Sequence, residues 1–440
     1  MILRNFYLKR ILLPVLLIGY SSGFAQNTIG ITEIVISHLH KNQTDGIYNL
    51  LSASSKSKIT KKQLKTLWTK QLEDHGKVES HGDIELDTIN GSNTTTTELY
   101  QEKNTLILVL RVTDKGKIDR LFFLPKSYGM PDAARNAVFG KRQLSVKTDT
   151  FQLNGELLFP LDVAQPPVVI LVHGSGASDL DETIGPNKIF KDLALELAMK
   201  GIATFRYNKR AFSYPETIKK GVSFTILDET IDDASSAIQM LTGVAEIDST
   251  KIFVLGHSLG AYAAPWIADI NPKVAGIIMM GAPSQPVFEL LPVQFKYLFG
   301  LDKHMSLVEK KVLRRVNKQA EMMRNGNFQS IKSKTFTGTY WPPSYFEFMQ
   351  NYSPVSTLDS TECPVLILQG GRDYQVPLES QFVPFQTAHH ENPLIKFRVF
   401  DDLNHLFLFG EGPSFPSEYI RPGHVDPQVI DAISDWIDKH

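Results

Sequence analysis

The sequence predicts an α/β protein: a mostly parallel sheet with helices on both faces, preceded by a small α+β module. Three observations carry that expectation. Apolar runs at Pro167–Val172, Ala203–Tyr207 and Ile252–Leu255 are separated by helical stretches at Asn187–Lys200 and Asp228–Thr242, the βαβ alternation of a parallel sheet. Further apolar runs at Val274–Met280, Pro364–Gln369 and Leu394–Phe400 extend the same sheet. Residues 27–125 have a different texture, with helical patterns first and alternating strands after.

At the N-terminus, Arg4, Lys9 and Arg10 flank the mostly apolar Ile11–Tyr20, and Gly23-Phe24-Ala25 ends in small residues before Gln26. This is the layout of a secretory signal peptide, residues 1–25, cleaved after Ala25. The stretch is too short to span a bilayer comfortably as a permanent helix, so no stable membrane insertion is expected once it is removed. No cysteine follows it to carry a lipid anchor, and the single cysteine, Cys363, abuts a strand and reads as a packing residue. Export without disulfides suits a bacterial periplasm or exterior.

In the 27–125 module, Ile29–His40 and Gln63–Leu72 read as helices, and Thr94–Tyr100, Thr105–Val112 and Ile118–Leu124 as strands of an antiparallel sheet. Its histidines, His38, His40, His75 and His81, lack a metal-ligand spacing, so a solvated accessory domain is expected there and no metal. Residues 126–142, with Gly129, Pro131 and Gly140, read as a linker, and 143–440 as the larger domain. Gln143–Phe159 supplies its opening antiparallel strands.

The strand Pro167–Val172 ends in His173-Gly174-Ser175-Gly176, where small residues let backbone N–H groups face a ligand. The third glycine position of a dinucleotide fingerprint is occupied by Asp179, so no nucleotide cofactor is expected. Ile252–Leu255 runs into Gly256-His257-Ser258-Leu259-Gly260, followed by Ala261, Ala263 and Ala264, which suit a helix packed closely on a sheet. Strand, G-x-S-x-G and helix in that order make a nucleophile elbow, with glycines where side chains would collide. A serine hydroxyl is a poor nucleophile at neutral pH, so it needs a histidine base, an orienting carboxylate and donors for an oxyanion. In this setting the chain order is Ser, acid, His. Asp373 follows the strand Pro364–Gln369, and His405 follows Leu394–Phe400, so Ser258, Asp373 and His405 form the expected triad. The backbone amides of Ser175 and Leu259 are the expected oxyanion donors.

Between Val274–Met280 and Pro364 the strand alternation stops, and residues 283–360 read as a helical cap insertion. Leu307–Arg324 is a basic amphipathic helix, and Tyr340, Trp341, Tyr345, Phe346, Phe348 and Tyr352 cluster nearby, either lining an acyl or aryl pocket or forming the insertion's own core.

These stretches, HGSGASDLDETIGPNKIFKDLALELAMKGIATFRYNKR (His173–Arg210), GHSLG, ILQGGRDYQVP and DDLNHLF, resemble the α/β-hydrolase superfamily from about residue 143 onward, and bacterial hydrolases of the esterase and serine-aminopeptidase type in particular. Asn208 departs from the family pattern RYDKR, which puts in doubt any ion pair made at that position. The module at 27–125, with YNLLSASSKSKITKKQLKTLW and DRLFFLP, resembles a cone-like helix-and-sheet domain found ahead of such hydrolases. The resemblance implies an α/β-hydrolase fold with a cap, and a serine hydrolase cleaving carboxylic esters through an acyl-enzyme on Ser258. A peptidase removing N-terminal residues from short peptides is the alternative, with Asp181, Glu182 or a carboxylate of the cap as the recognition group for an amino terminus. An alternative of another class is a non-catalytic binding protein on the same scaffold.

Lys and Arg total 46 against 47 Asp and Glu, a net charge of −1. That balance gives no steering toward nucleic acid or an anionic membrane, and suits a small ester or short peptide substrate. With 42% hydrophobic residues over 440, the chain can bury a large core.

Overall fold

The computed structural model describes residues 21–89, 92–102, 105–113, 115–125, 129–219, 221–301, 305–328 and 341–440. The basic and apolar part of the expected leader, Tyr340, and residues 126–128 of the expected linker lie outside these. The chain divides into two compact units, Met1–Ser127 and Tyr128–His440. No helix among the described residues is long and apolar enough to cross a membrane.

The first unit runs α1 (Ser21–His40), α2 (Thr44–Leu50), α3 (Ala53–Lys56), α4 (Lys61–His75) and then β1 (Val78–His81), β2 (Glu85–Ile89), β3 (Ser92–Gln101), β4 (Thr105–Val112) and β5 (Ile118–Pro125). The strands form an antiparallel sheet in the order β1-β3-β4-β5, with β2 also on β3. Strand β4, TLILVLRV, alternates strictly, burying Leu106, Leu108, Leu110 and Val112 on one face. Those leucines share a core with Ile31, Val35 and Leu39 of α1. Helix α4 starts at a capping box, where Thr60 accepts from the Gln63 N–H and the Gln63 side chain accepts from the Thr60 N–H.

In the second unit, β6 (Phe139–Thr148) and β7 (Phe151–Pro160) form an antiparallel edge. Strand β6 begins inside the segment expected to be linker. Then follow β8 (Val168–Val172), the small hairpin β9 (Thr183–Ile184) and β10 (Asn187–Lys188), α5 (Ile189–Met199), β11 (Ala203–Tyr207), α6 (Arg210–Ser213), α7 (Asp232–Leu241), β12 (Ile252–His257), α8 (Leu259–Ile270) and β13 (Val274–Met280). Helices α9 (Val287–Gly300), α10 (Leu307–Arg324), α11 (Pro343–Asn351) and α12 (Pro354–Thr357) separate β13 from β14 (Val365–Gly370). The chain closes with α13 (Val383–His389), β15 (Ile395–Phe400) and α14 (Pro427–Ile437).

The sheet order is β15-β14-β13-β12-β8-β11-β7-β6, parallel from β15 to β11. Every residue of β8 is buried, as a strand covered on both faces must be. Val168, Ile170 and Val172 join a core with α7 and α8, while Val169 and Leu171 join a second core with α5 and α14. This is the α/β-hydrolase fold. Its sequential neighbours β8 and β11 lie side by side, and β12 continues on the other side of β8. The carboxyl end of β8 is therefore a switch point, the place where open α/β sheets leave a crevice for ligands.

Candidate active site

Ser258 sits between β12 and α8 with φ 54° and ψ −112°, a conformation that non-glycine residues rarely adopt. Its N–H is fixed by the Met280 carbonyl of β13 at 2.9 Å. A Cβ on Gly256 would lie 2.2 Å from the Gly260 carbonyl, and one on Gly260 would lie 2.1 Å from the Val172 oxygen. Both glycines are thus required by contact, the first for the tightness of the turn and the second for the approach of α8 to β8.

Asp373 follows β14 and is buried, with its Oδ1 accepting the Gln375 and Val376 N–H groups at 2.8 Å each. Its Oδ2 accepts from Gln369 Nε2 at 3.3 Å and lies 2.6 Å from His405 Nδ1. An ionised carboxylate only accepts, so the proton is on Nδ1 and the lone pair on Nε2. The loop carrying His405 is stapled by its neighbour: Asn404 Oδ1 accepts the Leu406 and Leu408 N–H groups, and Asn404 Nδ2 donates to Glu418. Ser258 and His405 line one cavity of about 260 Å³ at the carboxyl ends of the strands, with Gly174, Ser175 and Leu259. Among the described residues, neither the Ser175 nor the Leu259 N–H has a protein acceptor.

Behind these groups lie residues whose roles no linear pattern signals. Glu182, held at φ 47°, accepts the Gly174 N–H at 2.6 Å and lies 3.2 Å from His257 Nδ1, out of hydrogen-bond line. Burial opposes charge on both, yet each partner's charge prevails: the His257 pKa is raised and that of Glu182 lowered. His257 Nε2 donates to the His405 carbonyl at 3.0 Å, so the motif's variable position braces the loop of the histidine. His173, by contrast, is pushed down to about 4 by burial and stays neutral, 2.9 Å from the Asp179 carbonyl.

The stretch Arg206–Arg210 supplies a buried row of cations. Arg206 pairs with Asp181 and Glu156, and Arg210 with Asp233. Lys209 Nζ donates to Glu229 at 2.6 Å and to the Gly174 carbonyl at 2.7 Å, while the Tyr345 hydroxyl of α11 donates to the other oxygen of Glu229 at 2.7 Å. Asn208 makes no ion pair; its Oδ1 accepts the Leu180 N–H at 2.9 Å, pinning the same loop.

The remaining cavity wall is mixed: Val287, Leu290 and Leu291 from α9, Met349 from α11 and Trp341 are apolar, and Gln285, Gln294 and Gln375 are polar. Of the expected aromatic cluster, Trp341 lines the cavity, whereas Tyr345, Phe346 and Tyr352 are buried in packing beside α8. Tyr352 and Tyr262 each donate a hydroxyl to the other's backbone carbonyl, at 2.8 and 3.1 Å. Cys363 is half-buried against the core, and burial pushes its thiol up to about 11, away from reactivity. Among the described residues no group of three His, Cys, Asp or Glu is placed to hold a metal ion.

Residues 166–411 match the family described as Serine aminopeptidase, S33. Over 414 residues the chain is 33% identical to Esterase EstD of Thermotoga maritima, covering 92% of this chain and 94% of the esterase. Among solved structures, Est1E from Butyrivibrio proteoclasticus is 16% identical, covers 68% of this chain and 98% of its own, and superposes with a TM-score of 0.44. Porphyromonas gingivalis dipeptidyl peptidase 4 is 15% identical, covers 79% of this chain and 42% of its own, with a TM-score of 0.45. The extent of the sequence matches places this chain in the serine aminopeptidase S33 family of α/β-hydrolases, as a serine hydrolase whose relatives include esterases and peptidases.

Proposed function

We propose that the protein hydrolyses carboxylic esters through an acyl-enzyme on Ser258, in the periplasm or outside the cell. The observation that carries this reading is that His405, paired with Asp373, lines one cavity with a serine held in an elbow. Ser258 Oγ attacks the carbonyl carbon while His405 Nε2 takes its proton. The resulting oxyanion is stabilised by the Ser175 and Leu259 N–H groups. His405 returns the proton to the departing alkoxide, and water, activated by the same nitrogen, resolves the ester on Ser258. Asp373 keeps the proton on Nδ1 throughout. Helices α9 to α11 act as a cap whose apolar residues hold the acyl group.

The peptidase reading is favoured by the family description and by Glu182, a carboxylate on the cavity wall. Two features favour the ester. Glu182 is 3% exposed and gives its Oε1 to the Gly174 N–H, which leaves only the buried Oε2 for an amino terminus, and the relative that matches nearly end to end is named an esterase. The leader pattern of residues 1–25 supports export.

The test compares purified protein and Ser258→Ala on p-nitrophenyl esters of increasing acyl length and on aminoacyl and dipeptidyl p-nitroanilides. Ester turnover that falls about 10³-fold or more in the variant is expected. Preferential anilide turnover would transfer the assignment to a peptidase.

A further inference from the structure

A second cavity among the described residues has no lining residue in common with the one at Ser258. It measures about 530 Å³, twice the catalytic one, and every residue that lines it belongs to the first unit. This falls within the range of roughly 300–1,000 Å³ typical of small-molecule sites. One wall is a single face of α4, with Leu64, Leu67, Trp68 and Gln71 at helical spacing; β5 supplies the opposite wall with Leu121 and Phe123.

Two polar atoms on that α4 face have no partner among the described residues. Trp68 is 2% exposed, yet its indole Nε1–H is unpaired; Gln71 Oε1, one turn further on, is buried and unpaired too. Leaving such a group unsatisfied costs about 1–3 kcal/mol. The rim combines two further features. Leu67 on α4 is 58% exposed; Phe122, 47% exposed, and the exposed Arg120 line the cavity from the edge strand β5, although they pair with Val109 and Arg111 on the face opposite Leu121 and Phe123; Lys58 is exposed as well, and neither cation has an ion pair among the described residues. The acid beside them, Asp119, is neutralised by Arg111.

We infer that this cavity is a binding site for a small amphiphilic carboxylate, its alkyl or aryl body between α4 and β5 and its anionic head at Lys58 and Arg120. Trp68 Nε1–H offers a hydrogen bond to an oxygen of the ligand. An aliphatic alcohol of the same length satisfies the walls but not the cations, and an unanchored acetate satisfies the cations but not the walls.

The full-length protein is titrated with sodium decanoate by isothermal calorimetry, beside decan-1-ol and acetate, and beside Lys58→Glu/Arg120→Glu, Trp68→Phe and Leu64→Trp. One saturable decanoate site is expected, at least tenfold tighter than for decan-1-ol or acetate. It should weaken at least tenfold in the double charge reversal and about threefold in Trp68→Phe, and disappear when Leu64→Trp fills the space. Turnover of p-nitrophenyl acetate by the double variant should stay at the wild-type rate, which separates this site from decanoate acting as a competitor at Ser258. The charge reversals lie on exposed side chains, so they test the head group even if Leu64→Trp fails to fold. Absence of saturable binding, equal affinity for decan-1-ol, or decanoate binding indifferent to the charge reversal would overturn the assignment.

Discussion

At Gly260 a single hydrogen atom separates a working elbow from a collision. A methyl there meets the backbone of β8 at 2.1 Å, and neither partner can move without dislocating the sheet. Gly260→Ala is therefore expected to yield insoluble protein, judged by soluble expression beside Ser258→Ala, which keeps every contact. Asp373→Asn is expected to keep the fold, with a melting temperature close to wild type, and to lower kcat by about 10³–10⁴-fold, because an amide favours the wrong histidine tautomer. His173 is neutral in the folded state with a pKa near 4, below its unfolded value of 6.5. The unfolded chain therefore binds the extra proton between these values, so this residue lowers stability as the pH falls below 6.5. The loss amounts to up to about 2 kcal/mol at pH 5. Urea titrations of His173→Gln should show a shallower decline from pH 7 to 5 than wild type. His257, with its raised pKa, acts in the opposite sense: its contribution is present at low pH and fades as the pH rises through that value. Ser258, Asp373 and His405, on which the proposed chemistry rests, were placed from the sequence because each follows an apolar strand in a fixed order. The bracing roles of Glu182 and Asn404 were not, since their partners, Gly174 and the Leu406 and Leu408 amides, are defined by loop geometry that leaves no periodic trace.

Among the elements, the connection from α11 to the loop after β8 has the clearest energetic consequence. Tyr345, Glu229, Lys209 and the Gly174 carbonyl form a continuous buried chain of hydrogen bonds. Lys209→Met would leave Glu229 charged and half-deserted in the core, at a cost of about 3–5 kcal/mol. Tyr345→Phe removes one bond and leaves the ion pair, at about 1–2 kcal/mol. Chemical denaturation should rank the two in that order, and Lys209→Met should also lower kcat on esters, because Gly174 adjoins Ser175. Strands with strong alternation or complete burial, β4, β8 and β12, were readable from their apolar patterns. Strands β1 and β2 were not, because β1 buries only Val78 and both lie against the outer side of β3, where a polar sequence suffices. Helix α10 was readable from its amphipathic period, and its capping box at Ser306 and Glu309 fixes where it starts.

For the whole molecule, the cores are the deciding feature. The apolar cluster of the first unit contains residues from Ile31 to Ile118, and the clusters on the two faces of the large sheet contain residues from Val146 to Ile437. A fragment of residues 129–440 is accordingly expected to keep ester turnover within about threefold of the full chain, measured as kcat/KM on p-nitrophenyl acetate. The change of texture near residue 125 lies close to the division between the two units at Ser127. The exact start of β6 at Phe139 was hidden, because Gly140 and the charged residues after it mimic a linker. A core as small as the first unit's buries a lesser share of its surface and stands closer to its own unfolding threshold. Cellular proteases act on whichever part opens most often. The abundance of this hydrolase would then be governed by substitutions around Trp68 and Leu108, far along the chain from Ser258, and variants there would present as loss of activity in a cell extract while the purified survivors turn over normally.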